Sequence, residues 1–347
     1  MTKPRILSGM RPTGRMHLGH LVGAVENWVQ LQDDYECFYM VADWHALMSE
    51  YENPASIRKY GYDNVTDWLS AGIDPKRSTI FVQSDVPEHL ELYMILSTIT
   101  PLGWLERCPT YKEQLTEIKG KDLCTYAFLG YPVLQAADIL LYKAQAVPVG
   151  EDQLPHLELT REIARRLNYL FGGGLRQESG AHSTPNSKLV VPNYLVPEPD
   201  AKLTRFPRLL GLDKRKMSKS YDNAINLADS AEEITKKVQT MFTDPQRIRK
   251  NDPGHPAECN LYAYYKVFSP DKHNSLAEEC HGAKIGCVDC KKQLAELLIN
   301  LTKPFRDKRK EMEKDHHYIK KVLEEGAERA RQVASKTMKD IRKAVFG

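Results

Sequence analysis

The chain has 347 residues, 41% hydrophobic and 27% charged, which is enough for two domains with sizeable cores and ordinary for a soluble enzyme. No apolar run approaches the roughly 18 residues of a membrane span, and the first residues lack a signal-peptide stretch, so a cytoplasmic protein with no membrane partner is expected. The net charge of +3 is uneven: from Lys291 to Gly347 there are 16 Lys/Arg against 9 Asp/Glu, which suits a polyanion or a solvated helical surface.

Arg5 to Ser8 predicts a first strand, ended by Gly9 and Pro12. Leu18, Leu21, Val22, Val25, Trp28 and Val29 follow at helical spacing. Cys37 to Ala42 and Thr79 to Gln83 predict two more strands. A helix from Pro54 to Leu69 lies between them, proline being tolerated in a first helical turn. Ala146 to Val149 reads as a short strand, and His156 to Phe171 as a helix stopped by glycines. Residues 172–213 are rich in Pro, Ser and Asn and predict long loops with short strands. From Asp229 onward helical periodicity and paired charges dominate. The alternation predicts an α/β unit with a parallel sheet, residues 1–222, followed by an all-helical unit, residues 223–347, with the boundary near 221–227.

Two segments carry chemistry. Residues 9–20, GMRPTGRMHLGH, sit where the first strand turns into its helix, the end at which open α/β folds bind ligands. His17 and His20 lie one turn apart and can donate to phosphate oxygens. Gly19 leaves room for a nucleotide, and the free N–H groups of the helix start favour an anion. A histidine pair on a helix is, taken alone, as readily structural. Residues 216–220, KMSKS, bring Lys216 and Lys219, whose charges can neutralise a triphosphate; taken alone they are a charged turn. The two motifs together, in this order and about 200 residues apart, argue for nucleotide chemistry.

These segments resemble the HIGH and KMSKS signatures of class I aminoacyl-tRNA synthetases. The blocks VADWH (41–45), YPVLQAADILLY (131–142) and VPVGEDQ (147–153) are similar to those of bacterial tryptophanyl-tRNA synthetases, and the likeness spans essentially the whole chain. The resemblance implies a Rossmann-like catalytic domain, a helical anticodon-binding domain, a homodimer, and ATP with Mg2+ as co-substrate. Its partners would be L-tryptophan and tRNA(Trp). It implies catalytic roles for Thr13, His17, His20, Lys216 and Lys219. It puts Arg11, Pro12, Thr13, Gly19, His20, Gly150, Glu151, Asp152, Pro207, Lys216, Met217, Ser218, Lys219 and Ser220 on ATP. Tyr131, Gln135, Asp138, Gln153 and His45 would meet tryptophan.

The residue types agree. An indole offers one polar atom, an N–H that only donates, so its pocket needs one buried acceptor. Asp138, among Ala136, Ala137, Ile139 and Leu140, is placed to supply it; an exposed face or a helix cap is the plainer reading. The Gln135/Asp138 pair is also similar to tyrosyl enzymes, which keeps a tyrosine-specific or diverged synthetase as an alternative beside a non-catalytic tRNA-binding paralogue. Residues 172–193 exceed the compact form of the family.

Seven cysteines in a chain without a secretory signal do not suggest disulfides. Cys259, Cys280, Cys287 and Cys290, spaced C-x20-C-x6-C-x2-C, can hold zinc or an iron–sulfur cluster, and spacing does not choose. The local GCVDCKK is similar to tryptophanyl enzymes that carry a [4Fe-4S] cluster beside the anticodon surface, which makes the cluster the expectation and zinc the alternative. Lys284, Lys291 and Lys292 flank these cysteines.

Overall fold

The computed structural model describes residues 3–109, 111–112, 115, 122–172, 194–203, 209–215, 217 and 223–347. Pro207, Lys216, Ser218, Lys219, Ser220 and residues 173–193 lie outside them.

Among the described residues five parallel strands form one sheet in the order β3-β2-β1-β4-β5. They are β1 (Arg5–Met10), β2 (Glu36–Val41), β3 (Ser78–Val82), β4 (Ala146–Val149) and β5 (Asp200–Leu203). β1 runs through Gly9 rather than stopping there, because its whole length pairs in register with β2, from Arg5 opposite Glu36 to Met10 opposite Val41. Side chains alternate across the sheet and split the core in two. Ile6, Tyr39 and Ile80 face one layer, in which Trp28 stacks on Tyr39 at 4.6 Å and meets Trp68 edge-on at 5.3 Å. Leu7, Phe38 and Phe81 face the other.

The helix expected after β1 is present but irregular. It consists of α1 (Leu18–His20), a π-helical turn (Leu21–Val25) and α2 (Glu26–Leu31). π-Turns of this kind recur at functional sites. Then come α3 (Asp43–Glu50), α4 (Ala55–Ala71), α5 (Glu88–Ile99) and α6 (Leu102–Glu106). α7 (Tyr126–Leu141) is started by Thr125, whose hydroxyl accepts from the Phe128 amide at 3.2 Å, a standard N-cap bond. α8 (Leu154–Phe171) follows β4, beginning two residues before the sequence suggested.

The last third is helical, as expected. α9 (Ala231–Thr240) opens with a Ser230/Glu233 capping box. α10 (Asn260–Phe268), α11 (His273–His281) and α12 (Cys287–Met312) precede α13 (His316–Phe346). α13 returns to lie along edge strand β3, where Gly326 touches the backbone of Ile80. Arg329 donates to the carbonyls of Pro75 (3.0 Å) and Ser78 (3.3 Å), and Arg331 to that of Asp85 (2.8 Å). The helix thus covers an edge that would otherwise offer unpaired backbone groups.

Candidate functional site

From β1 the strand order runs to β2 and β3 on one side, then jumps to β4 on the other. That reversal leaves a crevice at the carboxyl ends of β1 and β4, where α/β sheets take ligands. A cavity of about 330 Å³ occupies it. Arg11, His45, Tyr131, Gln135, Asp138, Gly150 and Gln153, all singled out in the sequence, line it together. Tyr131, Gln135 and Asp138 stand at i, i+4 and i+7 on α7, so one helix face presents all three. Glu151 and Asp152 lie just beyond, exposed on a 3-10 turn, and are not part of this wall.

Asp138 is 2% exposed, which sets aside its reading as a surface residue. Its Oδ1 accepts from Gln83 Nε2 and is bonded to His89 Nδ1, both at 2.7 Å; its Oδ2 is 2.8 Å from His45 Nε2. His89 Nε2 in turn meets the Tyr142 hydroxyl at 2.8 Å. Burial works against ionisation of Asp138, but hydrogen bonds and charge from His45 and His89 outweigh it and hold the carboxyl below the ordinary Asp value. The site therefore presents a fixed, ionised acceptor to whatever donor enters the cavity. Sequence reasoning found His45 and missed Gln83 and His89. The signal was there for His89, which begins the stripe His89, Leu92, Leu96, Ile99 on the buried face of α5.

The cavity lining holds a second missed histidine. Tyr131 Oη is 3.0 Å from His156 Nε2, and His156 Nδ1 is 3.4 Å from Cys108 Sγ. Burial pushes His156 down to about 4, helped by His45 and resisted by Asp152. It is a neutral imidazole near pH 7, and it fixes the Tyr131 ring.

The histidine motif lies beside this cavity rather than in its wall. His17 and His20 stack at 3.6 Å, and the His17 amide donates to His20 Nδ1 at 3.2 Å. The preceding turn carries buried Pro12 and half-buried Thr13, whose amide bonds the Arg11 carbonyl at 2.9 Å. A Cβ on Gly19 would stand 3.1 Å from the His17 ring and 3.4 Å from Met217 Sδ. Met217, 6% exposed, is the one described member of the KMSKS segment, and it rests against the histidine motif. The chain that follows stays there. Leu18 N bonds Ile225 O and Leu227 N bonds Met16 O, both at 3.0 Å, flanking a bridge between His17 and Asn226. Met217 and residues 225–227, some 200 residues on in sequence, thus pack against the histidine motif.

Cys259 caps α10, Cys280 lies in the last turn of α11, and Cys287 and Cys290 open α12; all four are free, half-buried thiols. Burial, then the neighbouring Cys259, Cys280 and Cys287, push the Cys290 thiol up to about 12, and Cys280 is raised by the same two causes. The four are thus within electrostatic reach of one another. Among the described residues, however, no three His, Cys, Asp or Glu side chains are drawn together as metal ligands.

Comparison with known proteins agrees with this geometry. A family model for tRNA synthetases class I (W and Y) matches residues 1–303. The tryptophan–tRNA ligase of Thermotoga maritima is 49% identical over 344 residues, 98% of each chain. That of Clostridium longisporum is 41% identical over 349 residues, 99% of this chain and 97% of the other. Among solved structures, the tryptophanyl-tRNA synthetase of Campylobacter jejuni, complexed with ADP and tryptophan, superposes with a TM-score of 0.82 at 31% identity over 98% of each chain. A tyrosyl-tRNA synthetase from Archaeoglobus fulgidus, 21% identical with a TM-score of 0.66, shares the fold.

Proposed function

This chain belongs to the tRNA synthetases of class I (W and Y) and acts as a tryptophan–tRNA ligase, and from that premise we propose how its own residues divide the work. The observation that carries the assignment is Asp138, a buried ionised acceptor held by three donors at the wall of the crevice. An indole N–H can only donate, so it complements this acceptor. Gln135 and His45 complete that end of the cavity, and Tyr131 with Gln153 offers oxygen atoms to the amino acid's ammonium group.

In the first step the tryptophan carboxylate attacks the α-phosphorus of ATP in line, and pyrophosphate leaves. No side-chain nucleophile is needed; positioning and prearranged charge supply the rate. Thr13, His17 and His20 hold phosphate oxygens, with Arg11, Pro12 and Gly19 beside the nucleotide. Lys216 and Lys219 neutralise the departing pyrophosphate together with the Mg2+ that accompanies ATP, Met217, Ser218 and Ser220 shaping their loop. Gly150, Glu151 and Asp152 take the ribose side and Pro207 backs the adenine. In the second step a terminal ribose hydroxyl of tRNA(Trp) attacks the carbonyl carbon of the adenylate, the mixed-anhydride bond breaks and AMP leaves. Residues 1–222 form the catalytic unit and 223–347 the anticodon-binding unit, in a cytoplasmic homodimer. The test is ATP–pyrophosphate exchange with tryptophan and with tyrosine. Exchange driven by tryptophan at least a hundredfold better is expected, and equal rates would refute the role of Asp138.

Cys259, Cys280, Cys287 and Cys290 fit a [4Fe-4S] cluster in kind. They are four free thiols in mutual electrostatic contact at one helix junction, beside Arg247, whose Nη1 lies 3.8 Å from Cys280 Sγ. Such a cluster would tie three helix ends together, and the proposed reaction would route no redox step through it. Anaerobically purified protein is expected to be brown; colourless protein with one zinc would favour the alternative metal.

A further inference from the structure

α12 buries the stripe Leu294, Leu298, Thr302, Phe305 and Arg309. The last of these is an arginine, 6% exposed, where the spacing calls for an apolar side chain. A buried guanidinium is costly unless it is paired and fully hydrogen-bonded. Arg309 meets that condition on α4. Its Nη1 bonds Asp67 Oδ1 and lies 3.4 Å from the Asp63 carbonyl, its Nη2 is 3.4 Å from Asp63 Oδ1, and its Nε is 3.1 Å from Glu313, the C-cap of its own helix. Asp67 is 2% exposed, so the pair is sealed from water.

The other oxygen of Asp67 points elsewhere. Its Oδ2 accepts from the backbone amide of Met16, at 3.4 Å, the residue immediately before His17. Met16 to Leu18 is therefore held from two sides. Ile225 and Leu227, which follow the KMSKS segment, grip the Leu18 amide and the Met16 carbonyl respectively. Asp67 grips the Met16 amide, and Asp67 is itself fixed by Arg309. α12 is 26 residues long, about 39 Å, with Cys287 and Cys290 at its far end. α12, which carries Pro304 in its interior, thus brings the helical unit onto the carboxylate that holds the Met16 amide, next to the histidine motif.

We propose that Arg309 is a positioning residue for the nucleotide-binding segment: through Asp67 it fixes the Met16–Leu18 backbone, and so makes ATP binding depend on the seating of α12. This rests on the reading of His17 and His20 as phosphate contacts. The tryptophan pocket lies on other elements and should not sense the pair.

The test compares Arg309→Met, Asp67→Asn and the double variant in tryptophan-dependent ATP–pyrophosphate exchange, with tryptophan affinity and thermal unfolding measured in parallel. Loss of the Asp67 bond to the Met16 amide, or of the guanidinium that orients it, predicts an ATP KM raised roughly ten- to hundredfold in each single variant. Tryptophan affinity is expected to stay within about twofold. Because both act on one bond, the double variant should be no worse than the poorer single one. Should Arg309→Met fail to fold, Arg309→Lys, which keeps the charge and loses the fork, is expected to show the same KM effect in smaller degree. A lowered melting temperature with an unchanged ATP KM, or additive effects in the double variant, would overturn the proposal while leaving the enzyme assignment intact. Absence of exchange in the unaltered protein would instead overturn the reading on which it rests.

Discussion

Gly326→Ala separates two opposing effects by sign. In an exposed helix interior this change stabilises by about 1 kcal/mol, because alanine is the better helix former. At residue 326 a Cβ would stand 1.7 Å from the Ile80 carbonyl oxygen, 2.7 Å from its carbon and 3.2 Å from its nitrogen. These are backbone atoms of an edge strand, so no rotamer relieves the overlap, and α13 must move off β3 by more than an ångström. Overpacking of this kind costs about 1–3 kcal/mol, and loss of the Arg329 bonds to Pro75 and Ser78 adds about 0.5–1.5 kcal/mol each. The overlap therefore wins, with a net destabilisation on the order of 2 kcal/mol. Urea unfolding followed by circular dichroism would read it. Displacement of β3 should also reach Gln83, the residue after Val82, and raise the tryptophan KM severalfold. An alanine variant as stable as the parent, or more so, would refute the contact between α13 and β3.

Other changes probe the site itself. His89→Phe removes one donor to Asp138 and orphans the Tyr142 hydroxyl, so the tryptophan KM should rise roughly tenfold with the ATP KM unchanged; steady-state exchange kinetics decide. Lys219→Ala should cut adenylate formation by roughly 10²–10³ and leave tryptophan binding intact, and near-normal exchange would remove the lysine from the mechanism. Burial raises Asp67 to about 7, against the pull of Arg309 and with the help of Asp63. A carboxyl raised on folding binds its proton more tightly folded than unfolded, so its contribution to stability is full below its unfolded value near 4 and declines as pH rises to about 7. The stability advantage of the parent over Asp67→Asn should therefore shrink between pH 4 and 7 in chemical unfolding. A difference independent of pH would contradict the raised value.

Much of the fold was legible because its signals are local. Each strand read from an apolar run is present within a residue or two, and so is the helix over residues 55–71, since both follow from periodicity. The cavity residues on α7 were legible through the resemblance carried by residues 131–142, and helical spacing puts Tyr131, Gln135 and Asp138 on one face. The π-turn over Leu21–Val25 was not, because its apolar spacing suits a regular helix equally well. Nor were the partners that make the site work. Gln83 and His89 reach Asp138 across 55 and 49 residues, and Arg309 reaches Asp67 across 242. Contacts of that range depend on how layers stack. The sequence mark of Arg309 is a violation, a charge on an apolar stripe, and such breaks in pattern are where function or strain collects.

The same logic bears on the role proposed for Asp138 in selecting tryptophan. Asp138 already receives hydrogen bonds from Gln83, His89 and His45, so both oxygens are oriented and neither can turn to suit a guest. What remains is acceptor capacity in a fixed direction. A ligand ring that carries an N–H there completes the set, whereas phenylalanine would leave a buried charge short of a partner, a penalty a hydrophobic wall does not impose. A tyrosine hydroxyl could donate too, but it projects from the end of a six-membered ring, while the indole N–H lies on the side of a five-membered one. With the carboxylate held by three donors, that difference in position becomes a difference in energy. On the proposed reading, selectivity depends less on the presence of Asp138 than on its immobility, to which Gln83 and His89 contribute from outside the cavity lining.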